Sequence, residues 1–127
     1  MNKAIFTNDA PKAIGPYSQA IVSTAQKFVF VSGQLPLCPK EMAILTTDVA
    51  LQAKQVLLNL QAILKASDAS LNNVVKVTVY LADINDFNKV NQVYETFFSE
   101  HKPARVCLQV AALPKAALVE MDAIAAL

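Results

Sequence analysis

Glycine is almost missing from this chain of 127 residues, which has only two, Gly15 and Gly33, far apart. A phosphate-cradling loop needs closely spaced glycines whose backbone approaches the ligand, so neither a P-loop nor a dinucleotide fingerprint can be written. Histidine is scarcer still. His101 alone excludes a zinc site built on several imidazoles and an H-E-x-x-H helix. The two cysteines, Cys38 and Cys107, form no C-x-x-C pair and no disulfide framework; they read as reduced thiols of a cytoplasmic protein. No stretch approaches the ~20 apolar residues of a membrane span, and Met1 to Gly15 lacks the apolar run of a signal peptide. Eleven Lys and Arg oppose ten Asp and Glu, for a net charge of +1. The lysines are scattered, so no basic stripe is available to displace counterions from nucleic acid. The chain is therefore expected to hold no metal or cofactor and to bind neither nucleic acid nor membrane.

What is abundant is apolar surface. Hydrophobic residues make up 54% and charged residues 17%, with a mean hydropathy of +0.36. No linker or repeat divides the chain, and its length suits one domain over residues 1–127. So small a core cannot hide all of that surface, which points to burial between subunits.

Periodicity assigns the elements. Ala4 to Thr7 reads as a short strand and Asn8 to Pro16 as a loop. Tyr17 to Ser23 and Lys27 to Val31 are β-branched and aromatic runs around Thr24-Ala25-Gln26, a hairpin pattern. A long connection through Pro36 and Pro39 reaches about Thr47. Val49, Ala53, Val56, Leu57, Leu60 and Leu64 then recur at helical spacing, predicting a helix over 47–66 with capping oxygens at Thr46, Thr47 and Asp48. Val75, Val77, Val79 and Leu81 alternate with Lys76, Thr78 and Tyr80, predicting a strand over 75–81. Phe87, Val90, Tyr94, Phe97 and Phe98 predict a second helix over 85–99. Two strands, 104–111 and 117–125, meet at Leu113-Pro114-Lys115. The economical packing is an α+β fold, a sheet with both helices on one face.

If the last two strands pair as a hairpin, one face carries Val106, Leu108, Val110, Val119, Met121 and Ala123. The other carries Arg105, Cys107, Gln109, Glu120 and Asp122. The apolar face should then meet the helices.

Arg105 is the most informative residue. A strand arginine in water is worth only ~0.5 kcal/mol in a cross-strand ion pair. Yet ten of the eleven cations are lysine, and a guanidinium fork binds two carboxylate oxygens in one plane as lysine cannot. Glu120 is either its ordinary partner or a proton-transfer group. In the simple register it lies ~13 Å along the strand from Arg105. A shifted register, a pair drawn from two subunits, or Asp122 as the nearer carboxylate would each resolve that separation. Cys107 reads as a half-buried structural thiol, His101 as a loop histidine, and Phe87, Tyr94, Phe97 and Phe98 as helix core. Tyr17, after Gly15-Pro16, is placed where a hydroxyl can reach a pocket.

Several segments resemble one family in collinear order. They are Gly15-Pro16-Tyr17-Ser18-Gln19-Ala20, Val31-Ser32-Gly33-Gln34-Leu35-Pro36, the strand Val75 to Leu81, Ile84 to Asn91, and Pro103-Ala104-Arg105 followed by Val119-Glu120 and Ala123-Ile124-Ala125. The family is Rid (YjgF), and the branch most similar is RidA, the 2-iminobutanoate/2-iminopropanoate deaminases. The resemblance implies a chorismate mutase-like α+β fold with a mixed β-sheet, and a homotrimer with clefts between subunits. It implies hydrolysis of short 2-imino acids, released by dehydratases acting on threonine and serine, to 2-oxo acids and ammonia. By position, Arg105 would hold the substrate carboxylate and Glu120 would position or activate water. Tyr17, Ser32, Gly33, Asn91 and Cys107 would line the cleft. Such a reaction needs no cofactor, because the imine carbon is already electrophilic. A different reading keeps Arg105 but makes Glu120 dispensable: a non-catalytic trimer that binds small carboxylates such as 2-oxobutanoate or an amino acid and acts as a regulator. The chain departs from the family pattern at Val106, where Ser or Thr is common, and at Ala112, where arginine is frequent.

Overall fold

Alternation along the strands decides which side of the sheet is covered. The computed structural model describes residues 1–127. Four strands, β3 (Phe28–Gln34), β4 (Val74–Leu81), β5 (Ala104–Gln109) and β6 (Val119–Ala126), form a mixed sheet in the order β3-β6-β4-β5, with β4 and β5 parallel and the other pairs antiparallel. Strands β1 (Asn2–Ile5) and β2 (Ala20–Ser23) form a separate antiparallel pair. Helices α1 (Val49–Ala66) and α2 (Phe87–Phe97) pack on each other. Val31, Val77, Val79, Leu81, Val119, Met121, Ala123 and Ala125 are buried in the same apolar cluster as Val56, Leu57, Leu60 and Leu64 of α1 and Tyr94 of α2. Both predicted helices and the strand over 75–81 are present. Burying each of those large side chains contributes ~1.5–3 kcal/mol.

Local chemistry explains the ends of α1. The Asp48 carboxylate accepts from the Ala50 and Leu51 N–H groups, at 2.8 and 3.2 Å. At the other end Asp68 takes a left-handed conformation (φ 56°), and the Ala69 N–H reaches back to the Leu64 carbonyl at 2.8 Å. This six-to-one bond closes a Schellman turn. The proline-rich connection is held by Asn59 of α1, whose amide donates to the carbonyls of Leu35 and Leu37. Buried Gln52 donates to the Thr46 carbonyl and accepts from the Leu118 N–H, tying that connection to the start of β6.

Two strand pairings differ from expectation. The hairpin of 17–23 with 27–31 does not form: β2 pairs with β1, while β3 pairs with β6, Val29 opposite Ala125 and Val31 opposite Ala123. Periodicity shows that a segment is a strand, but its partner is set by which buried face it can complete. The final hairpin also fails to form, because β4 lies between β5 and β6. The β4–α2–β5 crossover lays β5 parallel to β4 on the outer edge, so the chain must pass over β4 to enter β6. Pro114–Ala116 is accordingly a 3-10 turn with Lys115 and Ala116 both left-handed. The face assignment holds for β6 and inverts for β5. Arg105, Cys107 and Gln109 stand beside buried Val77, Val79 and Leu81, while Val106 and Leu108 are 44% and 37% exposed.

Candidate active site

Because Arg105 points to the helix side of an edge strand, α2 can surround it. Phe87, Asn91 and Tyr94 recur at helical spacing and form one stripe on that helix. Arg105 Nη1 donates to Asn91 Oδ1 at 2.6 Å. The guanidinium carbon lies 4.8 Å from the Tyr94 ring centroid and 5.7 Å from those of Phe87 and Tyr17, distances at which ring faces attract a cation.

Tyr17 arrives on a loop that is pinned in place. The Ser18 N–H donates to the Pro103 carbonyl at 3.2 Å and its hydroxyl to the Lys102 carbonyl at 2.5 Å, so the loop lies against the residues that lead into β5. Gln19 bonds Thr7 and Pro11 and holds the base of the loop. A methyl group on Gly15 would sit 3.5 Å from Arg105 Nη2, which puts the loop backbone directly beside the guanidinium. Cys107 completes this group two residues further along the same face of β5. Burial pushes its thiol pKa up, and the Arg105 charge opposes that only in part; the thiol is held protonated, which does not suit a nucleophile. Burial raises the Tyr94 phenol far above its ordinary value, again against the pull of Arg105. Its hydroxyl is buried without a hydrogen-bond partner.

Glu120 lies on the other face of the sheet. It stands opposite Tyr80 in the β4–β6 ladder, and its carboxylate rests against Gly33: a Cβ there would lie 2.1 Å from Glu120 Oε2. A bulge between Val31 and Gln34 creates this approach, and Ser32 is exposed beside it. A cleft of about 440 Å³, bordered by Gly33, Gln34, Leu35, Leu37, Asn59 and Ile63 among others, opens next to it. Asp122 shares the Glu120 face and accepts from the Tyr80 hydroxyl at 2.8 Å. That bond and the carboxylate charge raise the Tyr80 pKa.

The sequence-predicted residues therefore divide into two groups. Tyr17, Asn91, Arg105 and Cys107 gather around the guanidinium. Ser32, Gly33 and Glu120 gather on the opposite side of the same sheet. The expectation that Arg105 and Glu120 share a face is corrected: the insertion of β4 separates them. Phe87 and Tyr94, read from sequence as core alone, also form the bed of the guanidinium; their spacing with Asn91 was the signal. His101 stands apart, with its Nε2 2.5 Å from the Val74 carbonyl oxygen. No three His, Cys, Asp or Glu side chains converge as a metal site would require, and no helix is long and apolar enough to cross a membrane.

The family described as Endoribonuclease L-PSP matches residues 7–127. A RutC family protein of Pyrococcus horikoshii is 54% identical over 98% of both chains. The 2-iminobutanoate/2-iminopropanoate deaminase of Mus musculus is 49% identical over 98% of this chain and 91% of its own. Among solved structures, E. coli TdcF with bound serine is 44% identical, with a TM-score of 0.76 over 98% of each chain. Matches of this extent show that the chain belongs to the Endoribonuclease L-PSP family, also known as Rid or YjgF.

Proposed function

We propose that this protein hydrolyses short 2-imino acids, such as 2-iminobutanoate and 2-iminopropanoate, to 2-oxo acids and ammonia. The observation that carries this reading is the single arginine of the chain, bedded on aromatic rings and hydrogen-bonded only to a neutral amide. Its remaining N–H groups suit a carboxylate fork. The name of the mouse relative supplies the substrate class. In the reaction, water adds across the C=N bond with one of its protons going to nitrogen. The hydroxyl proton of the resulting carbinolamine then moves to nitrogen as the C–N bond breaks and the C=O bond forms, releasing ammonia. Arg105 holds the carboxylate, and Glu120 positions the water and accepts its proton. No cofactor is called for.

Since Arg105 and Glu120 lie on opposite faces of one chain, the complete site takes them from different copies. Arg105, Cys107, Asn91 and Tyr17 come from one subunit; Ser32, Gly33 and Glu120 come from its neighbour. The assembly is a homotrimer of the chorismate mutase-like type, closed through the uncovered sheet face on which Phe28, Phe30, Val106 and Leu108 are exposed. The cytoplasm, where both thiols stay reduced, is the compartment this reading assigns. RNA cleavage fits poorly, because the charge is balanced and the one histidine is engaged with a backbone carbonyl.

The test generates 2-aminoacrylate or 2-aminocrotonate in situ and follows the loss of its imine. The protein should accelerate hydrolysis, and Arg105→Ala should lower kcat/KM by about 100-fold or more without unfolding the chain. Glu120→Gln should retain 2-oxobutanoate binding and lose turnover. No acceleration over the uncatalysed reaction, or full turnover in Glu120→Gln, would overturn the proposal.

A further inference from the structure

Arginine is a long, flexible side chain that gives up considerable rotamer entropy when it is held in one geometry. Here α2 supplies two independent restraints. Tyr94, with none of its surface exposed, offers its ring at 4.8 Å from the guanidinium carbon; Asn91, one helical turn before it, takes one Nη1 proton at 2.6 Å. A ring face at that distance attracts the cation without using up any of its N–H donors. A single acceptor at Nη1 fixes rotation about the bond from Nε to the guanidinium carbon.

The chemical type of that acceptor matters as much as its position. An aspartate at position 91 would hold the guanidinium equally well, but its charge would cancel the field that attracts an anion. The asparagine carbonyl is neutral, so the cation is fixed and remains a full cation.

We infer that Asn91 and Tyr94 are positioning residues that lock Arg105 in a single orientation, and that the neutrality of Asn91 keeps its charge available for the substrate carboxylate. Asn91 thus acts through Arg105 and does not touch the substrate. The inference rests on the reading of Arg105 as the carboxylate anchor.

Because the protein has one arginine, its guanidinium NMR signals need no assignment. In the wild type the two Nη groups should give separate, slowly exchanging signals. In Asn91→Ala the rotation should be faster by about fivefold or more, since the charge-assisted bond that opposes it is gone. It should stay slow in Asn91→Asp. Tyr94→Phe, which keeps the ring, should leave it slow, and Tyr94→Leu should speed it.

Imine kinetics provide the second readout. Asn91→Ala should raise KM about tenfold while kcat changes less than about threefold, the mark of a misaligned binding group. Asn91→Asp should raise KM as much even though the guanidinium stays locked, because the charge is cancelled. In an Arg105→Lys background, Asn91→Ala should cost less than about twofold more, since a residue acting only through Arg105 has nothing left to act on. Should Asn91→Ala fail to fold, Asn91→Leu keeps most of the volume, removes the acceptor and takes its place.

Unchanged rotation in Asn91→Ala, fast rotation in Tyr94→Phe, an unchanged KM in Asn91→Asp, or a full Asn91→Ala effect in the Arg105→Lys background would overturn the inference. Failure of the wild type to hydrolyse imines would remove the proposed function, while the NMR series would still decide whether Asn91 and Tyr94 lock the guanidinium.

Discussion

Cys107 illustrates how position alone can mislead at the scale of a residue. A thiol two residues from an arginine suggests an activated nucleophile, but burial outweighs the nearby charge and the thiol is held protonated. In a Cys38→Ser background, the rate of iodoacetamide labelling should rise only at a pH above that of an ordinary free cysteine. Adding Arg105→Ala should move that rise still higher, because the guanidinium is the group that lowers the pKa. A midpoint at or below the free-thiol value would contradict both statements. The buried Gln52 and the half-buried Asn59 show the opposite case, polar side chains whose hydrogen bonds to distant backbone explain their burial.

Elements are governed by their ends. Helix α1 begins with a carboxylate that caps two N–H groups and ends with an aspartate in the left-handed region, beside the helix's own negative pole. The two acids therefore act in opposite directions. Asp48→Ala should cost about 1 kcal/mol through the lost cap, whereas Asp68→Gly should add about 1 kcal/mol by removing left-handed strain and an unfavourable charge. Urea denaturation of the two variants checks the signs, provided that m is unchanged. The strands behave differently. Strand β5 carries Val106 and Leu108, which read as core, yet its inward face bears Arg105 and Cys107. Helix α2 supplies rings and an amide for the guanidinium there, and the uncovered face takes the valine and leucine.

For the whole molecule, the uncovered sheet face is the dominant feature. Phe30, 74% exposed, stands on it with Phe28, and the parallel edge strand adds Val106 and Leu108. Under the proposed assembly, sedimentation should give about three times the 13.7 kDa of one chain. Phe30→Glu should give folded monomers that have lost imine hydrolysis, since each complete site draws on two copies. A monomeric wild type, or an active Phe30→Glu monomer, would refute the shared site.

Sequence by itself determined the elements, because helix and strand periods, capping oxygens and proline breaks are properties of neighbouring residues. It also singled out Arg105, through the scarcity of arginine and the collinear family segments around it. Only the tertiary structure decided which strands are neighbours and which way Arg105 faces. A strand presents its side chains to alternate faces, so the face that turns inward depends on what lies across from it. For β5 that is α2, whose Phe87, Asn91 and Tyr94 stripe accommodates a cation. The placement of β4 between β5 and β6 then puts Arg105 and Glu120 on opposite sides of the sheet, a separation that no pattern within either strand could reveal.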